Sequence, residues 1–180
     1  MNLLSIFQQR HSIRKYTGAP IDDAALTQII QAGLLSASSR SIRPWEFIVV
    51  KDKDMLRHLS ECRTGAARML AGADAAIVII ANAEASDVWI EDCSIAMANM
   101  HLMADSLGVG SCWIQGRLRT ATTADSGTAS VTTEDYVREC LDFPEGYKLE
   151  AILSLGMPAE EKTPAELSKL PFEKIHYEKF

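Results

Sequence analysis

A chain of 180 residues, 47% hydrophobic and 23% charged, has the composition of a soluble globular protein and the length of one domain, residues 1–180. Its net charge of −6 argues against nucleic acid or an anionic membrane as the main partner, because both demand a basic surface. Cys62, Cys93, Cys112 and Cys140 have no CxxC or other metal-ligand spacing, so buried thiols in a reducing compartment are expected.

The N-terminus lacks a charged region followed by a long apolar run and a small-residue cleavage site, and a cytoplasmic protein is expected. Residues 1–21 contain no acid and carry Arg10, Arg14 and Lys15, a faint likeness to a transit peptide. A different pattern in the same residues, given below, outweighs it.

Asn2 to Gln9 reads as a short amphipathic helix capped by Asn2, which delivers Arg10-His11-Ser12-Ile13-Arg14-Lys15-Tyr16 to a loop. Pro20-Ile21-Asp22-Asp23 opens a second helix to about Leu35, with Leu26, Ile29, Ile30, Gly33 and Leu34 facing inward. Ser36 to Pro44 is a polar loop rich in hydroxyls and arginine. Trp45 to Val50 follows as a strand by its aromatic and β-branched content. Lys53 to Glu61 and Arg63 to Leu70 read as two helices, and Ala75 to Ile80 as a strand buried on both faces.

The chain is organised around the next stretch. Ser86 and Asp87 are candidate N-caps, Glu91 and Asp92 sit in the early turns, and Gly108 marks the stop. Between them Ile95, Met97, Met100, Leu102, Met103 and Leu107 keep to no single face, as in a buried helix. It reads as a core helix packed on two sides, by its own sheet and by a second subunit. Asn99 and His101 interrupt it, so it is too polar to span a bilayer. Ser111 to Gln115 is a short strand ending at Gly116, where a ligand can approach the backbone closely.

Residues 117–132 are rich in Thr, Ala, Ser and Gly and read as a mobile loop or lid. Thr133 to Leu141 is a short helix, Pro144-Glu145-Gly146 a turn, and Lys148 to Leu155 a fourth strand. In the charged tail, Ile175-His176-Tyr177 reads as a short strand with nothing local to pair with, one that frays or adds to a neighbouring subunit. This order of elements gives an α+β or α/β domain, a single sheet covered by helices.

Two polar loops could carry chemistry. Arg10 to Arg14 places two guanidinium groups and a hydroxyl within five residues, suited to phosphate oxygens, although a solvated basic helix end explains the same residues. Ser38 to Arg43 offers hydroxyls and another arginine pair, or simply a Ser-rich connection. GxGxxG after a strand, the P-loop, GxSxG and HExxH are all missing, so dinucleotide folds, nucleotide hydrolases, the usual serine hydrolases and zinc proteases lose support. His11, His58, His101 and His176 are dispersed without ligand spacing, and His101 reads as a satisfied core residue.

Four stretches together resemble the nitroreductase-like family of FMN-dependent oxidoreductases. They are Arg10-His11-Ser12-Ile13-Arg14; Ala37-Ser38-Ser39 through Arg43-Pro44-Trp45; Leu107-Gly108-Val109-Gly110 leading to Trp113-Ile114-Gln115-Gly116; and Leu141 to Tyr147 before Leu153 to Pro158. They occur in the family's order and span almost the whole chain. The resemblance implies an α+β fold with a central, mostly antiparallel sheet flanked by helices, in a homodimer with an exchanged C-terminal tail. It implies two FMN molecules at the subunit interface and transfer of two electrons from NAD(P)H to a nitroaromatic, quinone or similar acceptor. By that likeness Arg10, Ser12 and Arg14 hold the FMN phosphate and ribityl chain, with His11 beside them, while Ser38 and Ser39 approach from the other subunit. Ile114, Gln115 and Gly116 border the flavin, with a backbone N–H of Gln115 or Gly116 at its N5 edge, and Lys169 stands where the family often has a basic phosphate ligand. Ser41 and Arg43 replace the family's usual Asn and Gln, and a cationic Arg43 would favour the reduced, anionic ring. Since flavin carries the chemistry, no catalytic side chain and no metal are expected. Two alternatives remain: an FMN carrier that turns nothing over, and a specialised flavoenzyme of this fold acting on flavin or a halogenated substrate.

Overall fold

The computed structural model describes residues 2–122 and 130–180. Its frame is a four-stranded sheet of β1 (Trp45–Val50), β2 (Ala75–Asn82), β3 (Gly110–Gln115) and β4 (Tyr147–Gly156), ordered β1-β2-β4-β3 with every neighbour antiparallel. Successive side chains in a strand point to opposite faces, so β2 and β4 each serve two cores. Ile77, Ile79, Leu153 and Leu155 pack against α2 (Asp23–Leu34) and α4 (Trp89–Ser106). Val78, Ile80 and Ile152 pack on the other side with Leu56 and Leu59 of α3 (Lys53–Leu59) and Val137 of α5 (Thr133–Leu141). That double duty explains why β2 reads as an unbroken apolar run.

The short helix α1 (Leu3–Gln9) is capped by Asn2, whose side chain accepts from the Leu4 N–H, and it packs on α4. Helices α2 and α4 cross closely because Gly33 faces Met100; a Cβ at Gly33 would lie 2.8 Å from the Met100 Sδ. Within the chain α4 is thus covered by the sheet and by α2, with Ile95 still 42% exposed.

Several boundaries differ from those read in the sequence. Residues 63–70 do not form an α-helix: the chain turns through Gly65 at φ +70° and then makes a 3-10 turn over Arg68–Gly72. The Thr64 N–H is drawn to the Thr120 carbonyl at 3.0 Å, so the backbone is satisfied across the fold instead of within a helix. Helix α4 begins at Trp89 with Val88, not Ser86 or Asp87, in the cap position; the Ser86 hydroxyl donates to Asp92 and accepts the Val88 N–H at 3.4 Å just before the helix. No strand forms at Ile175 to Tyr177; the tail makes 3-10 turns over Leu167–Lys169 and Phe172–Lys174 and is exposed throughout. The middle of the expected lid, residues 123–129, lies outside the described residues, but its two ends are stitched together. Ala121 N–H donates to the Val131 carbonyl and Thr133 N–H to that of Arg119, at 3.0 and 2.8 Å. Among the described residues no helix is long and apolar enough to cross a membrane.

Candidate functional site

The loop that leaves α1 lies along the open edge of β3. Ser12 forms a parallel bridge with Ser111, and the Ile13 N–H donates to the Ser111 carbonyl at 2.9 Å. The close approach depends on Gly110, where a Cβ would meet Ile13 at 2.8 Å. The loop is held from the other side by Glu160, whose carboxylate accepts the Arg14 N–H at 2.7 Å and the Lys15 N–H at 3.3 Å. Those donors, with Lys162, hold the Glu160 carboxyl down at about 2.

Arg10 caps α1 and sends one guanidinium nitrogen to the His101 Nε2 at 3.0 Å. Arg14 is exposed, its guanidinium making only a 3.5 Å approach to the Ser12 carbonyl, and His11 turns back to the Gln9 carbonyl at 2.6 Å. Arg10, Ser12 and Arg14 therefore share one short segment, fixed by its backbone, with most guanidinium donors uncommitted among the described residues. Such donors can meet a phosphate in paired hydrogen bonds. His101 is buried, as expected of a core histidine, but it also touches this segment.

In an antiparallel strand the backbone groups of alternate residues point to the same side. Since the Ser111 carbonyl points out of the sheet to Ile13, Gln115, four residues on and about 13 Å along the strand, directs its N–H to the same open edge. The Gly116 N–H points inward and is spent on the Glu150 carbonyl at 3.0 Å. Of the two donors expected at a ring edge, Gln115 is therefore the one available. Gly116 is needed for packing, because a Cβ there would lie 2.6 Å from Leu149. Ile114 is buried in the second core and reaches the edge only through its backbone.

Behind Gln115 stands a residue that sequence reasoning passed over. Glu150 is the extra residue in a bulge of β4, where Ile79 pairs with Ala151 but Ile80 with Leu149. It is 3% exposed; Gln115 Nε2 donates to its Oε1 at 3.1 Å, while Oε2 has no partner among the described residues. Burial raises its carboxyl above the ordinary range, with Gln115 and Arg117 pulling the other way. The folded state then binds this proton more tightly than the unfolded chain, so stability is full below the ordinary Glu value of about 4.3 and falls as pH rises above it. Glu150→Gln should therefore gain a few °C in Tm relative to the wild type between pH 4.5 and pH 8. A relative gain that grows toward acid would show the carboxylate to be the favoured form.

The second polar loop hangs from the other end of α4. Ser39 N–H donates to Asp92 Oδ1 at 2.8 Å, and the Ser38 hydroxyl accepts the Arg43 N–H at 2.9 Å. Between these pins Arg40, Ser41 and Arg43 all have positive φ, at 50°, 55° and 53°, a costly run of non-glycine residues in the left-handed region. Arg40 pairs with Asp87, while the exposed side chains of Ser41 and Arg43 have no partner among the described residues. No hydrogen bond among the described residues joins this loop to Arg10–Arg14. His101 and Asp92, their respective anchors, are about 14 Å apart along α4. Lys169 is also remote, exposed in the tail and paired with Glu166 at 2.7 Å. The structure thus joins Arg10, Ser12 and Arg14 to the Gln115 edge, and leaves Ser38, Ser39, Ser41, Arg43 and Lys169 apart from them within the chain.

The comparisons with known proteins bear on this arrangement. The model of the family described as "Nitroreductase family" matches residues 7–62 and 55–157. A solved FMN-dependent nitroreductase from Clostridium difficile is 44% identical, covers 98% of this chain and 99% of its own, and superposes with a TM-score of 0.91. An Archaeoglobus fulgidus protein with the provisional name NADH dehydrogenase/NAD(P)H nitroreductase is 35% identical over 98% of both chains. The NADPH:FMN oxidoreductase of Vibrio harveyi, solved with NAD+, shares the fold at a TM-score of 0.81 and 22% identity, covering 100% of this chain and 78% of its own. The α+β architecture around an antiparallel sheet is the one read from the sequence, and the chain belongs to the nitroreductase family.

Proposed function

We propose that this protein is an FMN-dependent oxidoreductase that passes two electrons from NAD(P)H to a nitroaromatic, quinone or similar small acceptor, with donor and acceptor occupying one site in turn. The observation that carries this reading is the alignment of the Arg10–Arg14 segment with the free edge of β3. Guanidinium donors stand at one end of that edge, and the Gln115 N–H points out at the other. Charged donors suit a phosphate and a free edge N–H suits a ring nitrogen, so the residues fit FMN. Bound FMN would supply the hydride chemistry, and the chain would supply only binding, orientation and exclusion of water. A hydride leaves NAD(P)H and, with a proton from solvent, converts a quinone to its hydroquinone.

The same reading makes the working unit a homodimer. Leu3, Leu4, Phe7, Leu34 and Leu35 are exposed on α1 and at the end of α2, beside a groove of about 280 Å³ lined by Leu102 and Met103. In a dimer Ser38, Ser39 and Arg43 of one subunit would reach the other's flavin, Arg43 lending a positive charge, and Lys169 would come in on an exchanged tail. The four free thiols suit a cytoplasmic protein.

The test is optical and kinetic. The purified protein should be yellow and should bleach with anaerobic NAD(P)H; a yellow protein that does not bleach is a carrier. Initial-rate plots at several acceptor concentrations should give parallel lines, because 180 residues hold no second dinucleotide motif to bind both partners together. Intersecting lines would mean simultaneous binding.

A further inference from the structure

His101 sits two-thirds of the way along α4, 6% exposed, where a Leu or Met would fill the same space without a polar ring to satisfy. Its surroundings fix its chemistry. Arginine has donors and no acceptor, so the His101 Nε2, 3.0 Å from an Arg10 Nη, must be the accepting nitrogen. The ring proton then lies on Nδ1, which faces the Ser111 hydroxyl. Burial, and next the Arg10 charge, push the imidazole down to about 4, so the ring stays neutral and able to accept throughout the neutral range. Asp105, one turn further along α4, is the nearby acid, yet no hydrogen bond joins it to Arg10 among the described residues.

Ser111 ties this contact to the binding loop. Its hydroxyl accepts the Nδ1–H that the Arg10 contact dictates and so fixes the ring's orientation, while its backbone carbonyl holds Ile13 at 2.9 Å and its bridge partner is Ser12. One residue of β3 therefore sets both the direction of the Arg10 guanidinium and the path of the segment from Ser12 to Arg14. A long arginine side chain left to itself samples many rotamers, and ordering it on binding would subtract from affinity. A neutral acceptor holds one guanidinium nitrogen without cancelling the charge, and leaves the other donors for an anion. A carboxylate in the same place would neutralise it.

We propose that His101 is a positioning residue: with its Nδ1–H anchored on the Ser111 hydroxyl, it aims the Arg10 guanidinium at the cofactor phosphate. This rests on the reading of Arg10 as a phosphate ligand. It makes a prediction that core packing does not, because the effect must depend on whether the flavin carries a phosphate.

The experiment compares FMN with riboflavin, binding each to the full chain freed of flavin and following fluorescence quenching. Arg10→Ala should lower FMN affinity tenfold or more and leave riboflavin within about twofold. If it changes both alike or neither, Arg10 does not hold the phosphate, and the reading of the loop falls before the role of His101 is reached. With that arm positive, His101→Leu should lower FMN affinity about tenfold at unchanged riboflavin affinity, and should add nothing in the Arg10→Ala background. His101→Gln, whose Oε1 reaches the place of Nε2, should recover FMN binding to within about threefold of wild type. Ser111→Ala, which removes the acceptor that anchors the ring through Nδ1–H, should move the FMN-to-riboflavin ratio the same way and serves if His101→Leu does not fold. An unchanged ratio in the His101→Leu and Ser111→Ala proteins, or a parallel loss of both flavins, overturns the proposal.

Discussion

Asp92→Ala should lower stability by about 3 kcal/mol, a fall of roughly 6–12 °C in Tm for a chain of this size. The side chain is buried and accepts two hydrogen bonds, from the Ser39 N–H at 2.8 Å and the Ser86 hydroxyl at 3.1 Å. Hydrogen bonds to charged groups contribute about 1.5–3 kcal/mol each, and their loss strands the donors. More follows than a lost contact. The Ser39 N–H anchors the loop whose Arg40, Ser41 and Arg43 sit at positive φ, and such conformations cost about 1–3 kcal/mol each unless the surroundings impose them. The exposed pair of Arg40 with Asp87 cannot impose them, since a surface ion pair contributes little. Without Asp92 the loop should relax, and FMN content should fall with it. Asp92→Asn keeps an acceptor for Ser39 and can donate to Ser86, and should lose under about 1 kcal/mol. Urea unfolding within about 0.5 kcal/mol of wild type for Asp92→Ala would show that the loop is held by something else.

The strands and most helices were legible because each carries its signal locally. Trp45–Val50 and Ala75–Asn82 are dense in β-branched residues, and Asn2, Asp22, Asp52 and Thr132 cap their helices by side-chain hydrogen bonds. The segment at residues 63–70 misled because the Thr64 bond to Thr120 outweighs a helical pattern. Sheet order was illegible for the same reason: β4, last in sequence, inserts between β2 and β3. At the candidate site, clustering in sequence made Arg10, Ser12 and Arg14 visible. His101, Asp92 and Glu150 were not read as site residues because their partners lie 91, 53 and 35 positions away. What distinguishes them is burial of a polar group with a specific partner, and a single sequence does not encode that pairing in any local spacing.

Removing residues 166–180 should weaken self-association by about 10²–10⁴-fold. Among the described residues, the last hydrogen bonds from the tail to the rest of its own chain are two reciprocal ones at Ala165, whose N–H donates to the Gln8 carbonyl at 2.8 Å and whose carbonyl accepts from Gln8 Nε2 at 3.0 Å. Beyond them Leu167, Leu170, Phe172, Ile175, Tyr177 and Phe180 are between 41% and 105% exposed. Burying six such side chains is worth at most about 9–18 kcal/mol, at about 1.5–3 kcal/mol each. Ordering the loosely held chain, and the surface already hidden in the free state, remove most of it. A residual third, about 3–6 kcal/mol, gives the stated range at about 1.4 kcal/mol per tenfold. In a twofold dimer each tail would lie on the partner, so this range, which counts one tail, is a lower bound for the pair. Sedimentation velocity should find the full chain dimeric at micromolar concentration and the truncated chain dissociating there with its FMN lost. Lys169→Ala should instead leave the dimer intact and weaken FMN alone, since its exposed pair with Glu166 holds nothing together. If truncated and full chains associate equally, the tail is not part of the interface; if the full chain is a stable monomer, the shared site has no second subunit to complete it.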